Sequence, residues 1–250
     1  MRTAMKHRAY RIKITYDAQT FDREAAEELA AKLVDNAFYE SDDPAGGDYL
    51  RYQYGGYQLT HSCEKGLFRY RYKAEIVPVY YTTSEQEETL DEEIARILED
   101  FRFSQGAADL EKIRRVHDFI CERTAYDMVH KHQGSSHIQS TAYGALIYRT
   151  ALCQGYAVLC YRLLKELGID CRIVTGEAVT EGKTERHAWN IVRVGDVFYN
   201  MDVTFDDVKG TYDWFLKSDR TFERDHTRDE RYCSDEFCEQ YPMSREDYWN

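Results

Sequence analysis

Cys153 is the residue around which chemistry could be organised. It stands in Thr150-Ala-Leu-Cys-Gln-Gly-Tyr-Ala157, at the point where a helical pattern begins. Ala157, Cys160, Leu163, Leu164 and Leu167 recur at three- and four-residue spacing, which is one apolar helix face. Gly168 follows where a left-handed C-terminal cap favours glycine. A cysteine in the first turn faces unpaired backbone N–H groups and the positive end of the helix dipole. That position favours the nucleophilic thiolate and can lower a thiol pKa from about 8.5 to roughly 3.5–7.5. The competing reading is a small buried apolar residue, as free cysteines usually are. Gly155 is expected to leave room above the sulfur for a substrate backbone.

A base and an acid follow. His187-Ala-Trp-Asn-Ile-Val-Arg-Val194 and Val197-Phe-Tyr-Asn-Met-Asp-Val203 flank Gly195-Asp196, which predicts a β-hairpin with a type II′ turn. With Val194 opposite Val197, Trp189 faces Asp202 and His187 lies diagonal to Asp202 on the same face. Diagonal same-face residues are about 7–8 Å apart at the backbone, a gap that an imidazole and a carboxylate can close. Val192, Val194, Val197, Tyr199 and Met201 take the other face as core. A cysteine, a histidine and an aspartate so placed form the nucleophile, base and orienting acid of cysteine acyl-transfer enzymes.

At Leu152-Cys-Gln-Gly-Tyr-Ala157, His187-Ala-Trp-Asn190 and Tyr199-Asn-Met-Asp-Val-Thr-Phe-Asp-Asp207 the chain resembles the bacterial transglutaminase-like superfamily. The core of that family is related to papain-type proteases and peptide N-glycanases. The resemblance runs from roughly Asp109 to the end. It implies that Cys153 is the nucleophile, His187 the general base and Asp202 the orienting acid. Phe205 stands where family members often have Trp, and Asn200 departs from an aromatic or histidine. Papain-like enzymes often draw an oxyanion donor from a glutamine upstream of the cysteine, which makes Gln139 a candidate beside the Cys153 backbone N–H. Tyr143, Gln154, Gly155 and Trp189 are the further candidates for positioning substrate.

The chain has 250 residues, enough for one large domain or two small ones with a proper core. Hydrophobic residues make up 43% and charged residues 31%, the balance of a globular protein. A net charge of −12 argues against nucleic acid and anionic membranes as partners and says nothing of the substrate; the acyl-transfer reading expects a peptide or protein. Seven cysteines, an odd number without framework spacing, suit a reducing compartment. Met1 to Arg8 lead into no hydrophobic signal region, which points to the cytoplasm, or to secretion if a leader has been removed.

Residues 1–104 are expected to form an N-terminal α/β subdomain in βαββα order. Its elements are a strand Tyr10–Tyr16, a helix Phe21–Phe38, strands Tyr49–Thr60 and Leu67–Val77, and a helix opened by the capping box Ser84-Glu-Gln-Glu87. The break at Ser104-Gln-Gly-Ala107 sets the boundary of a catalytic domain spanning 105–250. Asp109 is expected to cap its first helix, with Leu110, Ile113, Val116 and Ile120 as the apolar face. His130, His132 and His137 lie in a polar stretch that could bind metal, although no Cys or carboxylate accompanies them at ligand spacing. A loop beside the active site fits that stretch better. Asp206-Asp207 invites a calcium reading, but a solvated turn fits better because no loop of alternating oxygen ligands surrounds it. Cys233 and Cys238 sit in a charged tail with no other ligands supplied. No metal and no cofactor are expected.

The expected fold is α+β: a papain/transglutaminase-like core with the Cys153 helix packed on an antiparallel sheet, preceded by the small subdomain. The expected function is cysteine-dependent acyl transfer on peptide or protein amides, with hydrolysis preferred. Amine transfer of the transglutaminase type is the first alternative. A non-catalytic module that binds peptides or glycans is the second.

Overall fold

The computed structural model describes residues 1–20, 22–104, 106–129, 137–180 and 182–249. His130, His132 and Phe21 therefore lie outside the described residues. The chain divides into two compact units, Met1–Ser84 and Glu85–Asn250.

The first unit holds helices α1 (Arg2–Lys6), α2 (Arg23–Ala37) and α3 (Gly47–Arg51), and strands β1 (Ile12–Ala18), β2 (Tyr54–Lys65) and β3 (Tyr70–Tyr80). The sheet is antiparallel in the order β1-β3-β2. Met5, Val34, Phe38, Leu50 and Ile76 form its core. Two short helices were not legible in the sequence. The run expected to be a strand from Tyr49 begins with α3, whose five residues are too few to show helical periodicity.

The second unit begins one helix earlier than the break at residue 104 suggested. Helix α4 (Ser84–Phe101) buries Leu90, Ile94, Ile97 and Phe101. Phe101 meets Phe119 of α5 (Asp109–Arg123) edge to face, with ring centroids 5.4 Å apart. The Gly106 break is thus a turn inside one packed unit. Asp109 is the first helical residue of α5, not its cap; Ala108 holds that position. Its apolar face includes His117, which is only 2% exposed.

Two-residue strands β4 (Ala125–Tyr126) and β5 (Thr150–Ala151) pair in parallel. Helix α6 (Cys153–Glu166) follows directly, closed by Gly168 at φ 74°. Four antiparallel strands complete the sheet in the order β8-β7-β6-β9, with β6 Cys171–Thr180, β7 Lys183–Val194, β8 Val197–Met201 and β9 His226–Arg228. Asn190 donates to the Ala157 carbonyl of α6 at 3.1 Å, which fixes helix against sheet. The opposite face carries Val174, Trp189, Ile191 and Phe198, covered by Phe222, Tyr232, Phe237 and Tyr241. The charged tail around Cys233 and Cys238 is therefore one wall of the core. Both cysteines are free and exposed.

Candidate active site

Leu152 has extended backbone (φ −88°, ψ 171°), so α6 starts at Cys153. Its half-buried sulfur sits in the first turn, as the pattern required. His187 and the Ala188 backbone N–H are the groups beside the thiol that favour its charged form. Burial pushes the Cys153 thiol up, but the charge of His187 and the Ala188 N–H outweigh it and hold the thiol below the ordinary cysteine range.

The hairpin has the predicted register, Val194 opposite Val197 and Asn190 opposite Met201, with Gly195 at φ 63° in the turn. The ladder ends there. Trp189 and Asp202 do not pair, because Asp202 leaves the strand to become the N-cap of α7 (Val203–Lys209). Its Oδ1 accepts from the N–H groups of Thr204 (3.0 Å) and Phe205 (3.2 Å). That leaves Oδ2 for His187 Nε2 at 2.7 Å. Nδ1 of His187 is then the ring atom open to the thiol. Burial lowers the pKa of His187, but Asp202 and Cys153 raise it to about 10. Burial raises that of Asp202, but His187 and His226 hold it well below the usual carboxylate range. All three features favour a thiolate beside an imidazolium.

His226 is absent from the sequence reading. It lies on a three-residue strand, too short to show alternation, and its Nε2 meets the same Asp202 Oδ2 at 3.1 Å. His187, Asp202 and His226 are also spaced so that their ligand atoms could hold a metal ion, all lying within 4.8 Å of one another. Those atoms already share protons with each other in hydrogen bonds, so a metal would displace the contact that orients His187.

The other candidates are placed less directly. Gln139 is buried in a 3-10 turn, His137–Ser140; its carbonyl accepts from Leu152 N at 2.9 Å, and its buried side-chain Oε1 has no partner among the described residues. Gln154 Nε2 donates to Ser140 O at 3.3 Å, tying the helix start to that turn. Gly155 does not make room for substrate. A Cβ there would lie 2.4 Å from the Gln139 carbonyl oxygen, so the glycine permits the turn to pack on α6. Trp189 is buried, stacks on His187 with ring centroids 6.2 Å apart, and donates to Asn200 Oδ1 at 3.1 Å. It supports the base from behind. Tyr143 meets Tyr148 edge to face at 5.3 Å. His137 is exposed.

Asp206 and Asp207 are not a solvated turn. Both lie in α7, where Asp206 is 1% exposed. Asp206 takes His117 Nε2 at 3.1 Å and the Trp214 N–H at 3.0 Å, and Asp207 accepts from Tyr156 OH at 2.6 Å. These bonds tie α7, and so Asp202, to α5 and α6. Phe205 packs on His187 with centroids 4.8 Å apart, the place expected for a Trp. Beside His187 opens a cleft of about 250 Å³, lined by Tyr126, Met128, Glu185, Phe205, Val208 and Lys209 among others.

A helix-borne thiol on an antiparallel sheet carrying histidine and aspartate defines an α+β protein with a papain/transglutaminase-like core. Residues 100–203 match the family model of the transglutaminase-like superfamily. Cys153, His187 and Asp202 all fall within the matched segment. No curated protein matches the chain. Among solved structures it is similar to a crystal structure of a TGase (15% identity, TM-score 0.42), with 77% of this chain and 51% of that chain covered. It is also similar to a candidate cysteine protease from Cytophaga hutchinsonii (14% identity, TM-score 0.37), with 60% and 65% covered. The chain thus spans about half the length of the first and less than two thirds of the second. The match over residues 100–203 supports cysteine-dependent acyl transfer as the general chemistry. Among the described residues, no helix is long and apolar enough to cross a membrane.

Proposed function

We propose that the chain is a cysteine peptidase or amidase acting on peptide or protein amides. The observation that carries this reading is the His187 Nε2–Asp202 Oδ2 contact at 2.7 Å, with Cys153 beside His187 at a helix start. The Cys153 thiolate attacks the amide carbonyl carbon and forms a tetrahedral oxyanion. The Cys153 backbone N–H stabilises that charge, because a first-turn N–H has no partner within its helix. The buried Oε1 of Gln139 supplies no proton, so any donation from this side chain comes from its Nε2. The His187 imidazolium then protonates the leaving amine as the C–N bond breaks, giving a thioester. Neutral His187 takes a proton from the incoming water, whose oxygen bonds the acyl carbon and releases the acid and Cys153. Asp202 holds Nε2–H of His187 throughout, so that Nδ1 faces the sulfur.

Water is favoured over an amine as acceptor because charged Glu185, Arg186, Lys209 and Asp225 interrupt the apolar lining of Tyr126, Met128, Phe205 and Val208 in the cleft beside His187. Amine transfer needs an acceptor channel that keeps water out. The net charge of −12 speaks against nucleic acid and anionic membranes as partners.

The test is incubation of a peptide library with wild type and with Cys153→Ala, with and without a primary amine, read by mass spectrometry. Hydrolysis gives cleaved or deamidated peptides whose amounts the amine leaves unchanged. Amine adducts that replace those products would reassign the reaction to transfer. Equal product from Cys153→Ala would remove the nucleophile.

A further inference from the structure

Asp202 serves two histidines. Its Oδ1 holds the backbone N–H groups of Thr204 and Phe205, and its Oδ2 holds His187 Nε2 at 2.7 Å and His226 Nε2 at 3.1 Å. The side chain is 1% exposed, so no water replaces a lost donor easily. With every oxygen engaged, the carboxylate cannot turn without breaking bonds on both sides.

His226 is held as firmly. It is 2% exposed, and its second nitrogen, Nδ1, lies 2.6 Å from Asp225 Oδ1. Asp225 is fixed in turn, its Oδ2 accepting from the indole N–H of Trp214 at 3.1 Å. Carboxylates only accept, so a ring whose two nitrogens both face carboxylates satisfies both by carrying a proton on each. Phe222, Phe205 and Trp189 surround the ring with centroids 4.1, 4.9 and 5.1 Å away. The approach of β9 that delivers His226 depends on Gly176, where a Cβ would lie 1.9 Å from the Thr227 carbonyl oxygen. The result is a line of alternating charge: Asp225, His226, Asp202, His187, Cys153.

We propose that His226 is a positioning residue for the Cys153–His187 pair, pinning Asp202 toward His187 and setting by its charge the pH at which the thiolate forms. This rests on the triad reading above. The ring centroids of His226 and His187 are 5.4 Å apart, close enough for a charge on His226 to bear on the Cys153–His187 pair. Among the described residues, Asp202 also acts electrostatically on Tyr126 and Asp206. Both remain when His226 is replaced. Removing a buried cation raises the proton affinity of its neighbours, so the thiolate forms at higher pH.

The experiment measures the rate of Cys153 alkylation by iodoacetamide against pH, with the modified peptide read by mass spectrometry to set aside exposed Cys233 and Cys238. His226→Phe keeps a packed ring and removes donor and charge. His226→Gln keeps a donor for Asp202 and removes only the charge. In both, the acid limb is expected to move up by roughly one pH unit. The plateau rate falls in His226→Phe and recovers in part in His226→Gln. A limb that stays in place in either folded variant overturns the proposal, as does a plateau better kept by Phe than by Gln, which is the mark of packing alone. If wild type shows no limb below the ordinary thiol range, the triad reading has failed, and the wild-type profile alone reveals it.

Discussion

His187 Nε2 reaches Asp202 Oδ2 at 2.7 Å across fifteen residues of chain, and a helix cap makes the contact possible. Asp202 bonds the first turn of α7 with one oxygen and the imidazole with the other. Asn caps a helix about as well as Asp. Asp202→Asn should therefore keep the fold and lose the anion that fixes the His187 tautomer. The analogous change in serine proteases costs about 10⁴ in rate; a smaller loss is expected here, because cysteine enzymes work with Asn in this role. Asp202→Ala loses the cap as well, and its thermal unfolding should show a further destabilisation of about 0.5–2 kcal/mol. Equal stability of the two variants would contradict the double role.

Cys153→Ala removes a sulfur from a helix start and puts the best helix former in its place. Acyl transfer should vanish while the melting temperature stays within a few degrees of wild type. The comparison is a single assay beside a thermal melt, and activity near wild type would end the assignment.

The hairpin, its register and the cysteine-headed helix were legible because each rests on local pattern. Alternation runs from Ala188 to Met201, Gly195 marks the turn, and Leu163 and Leu164 share a helix face. What surrounds Asp202 was not legible. His226 arrives on a strand of three residues, Asp206 meets His117 across 89 residues, and neither leaves a periodic trace. Gly155 misleads for the same reason: its role is set by the carbonyl oxygen of Gln139, which no reading of nearest neighbours in sequence supplies.

Gly155→Ala tests the corrected role of that glycine. Its Cβ would meet the Gln139 carbonyl at 2.4 Å and the Ala151 side chain at 2.9 Å. The backbone must move, and overpacking of this kind costs typically about 1–3 kcal/mol. Chemical denaturation should show the loss. A neutral or stabilising result would mean the site is open, as a substrate-clearance role requires.

His117 sets a pH dependence of stability. Burial lowers its pKa, but Asp118, Asp206 and Cys121 raise it to about 11. The unfolded value is about 6.5. A raised folded value stabilises fully below about 6.5, and the contribution is lost as pH climbs toward 11, by up to about 1.4 kcal/mol per pH unit. His187 and other groups titrate in the same window, so the informative quantity is a difference. Unfolding free energy measured from neutral to alkaline pH should fall more steeply in wild type than in His117→Gln. Parallel curves would show that His117 gains no proton affinity from its carboxylates.

The central claim is that Cys153 exists as a thiolate because His187 beside it is a cation. Its most direct measurement is the rate of Cys153 alkylation by iodoacetamide from acid to alkaline pH, in wild type and in His187→Ala. The charge of His187 holds the thiol low against the penalty of burial, so wild type should already react readily near pH 6. His187→Ala loses that cation, and its rate near pH 6 should collapse, with reaction appearing only as the thiol ionises at about pH 8.5 or above. A wild-type profile with a single limb near pH 8.5, unchanged by His187→Ala, would contradict the claim.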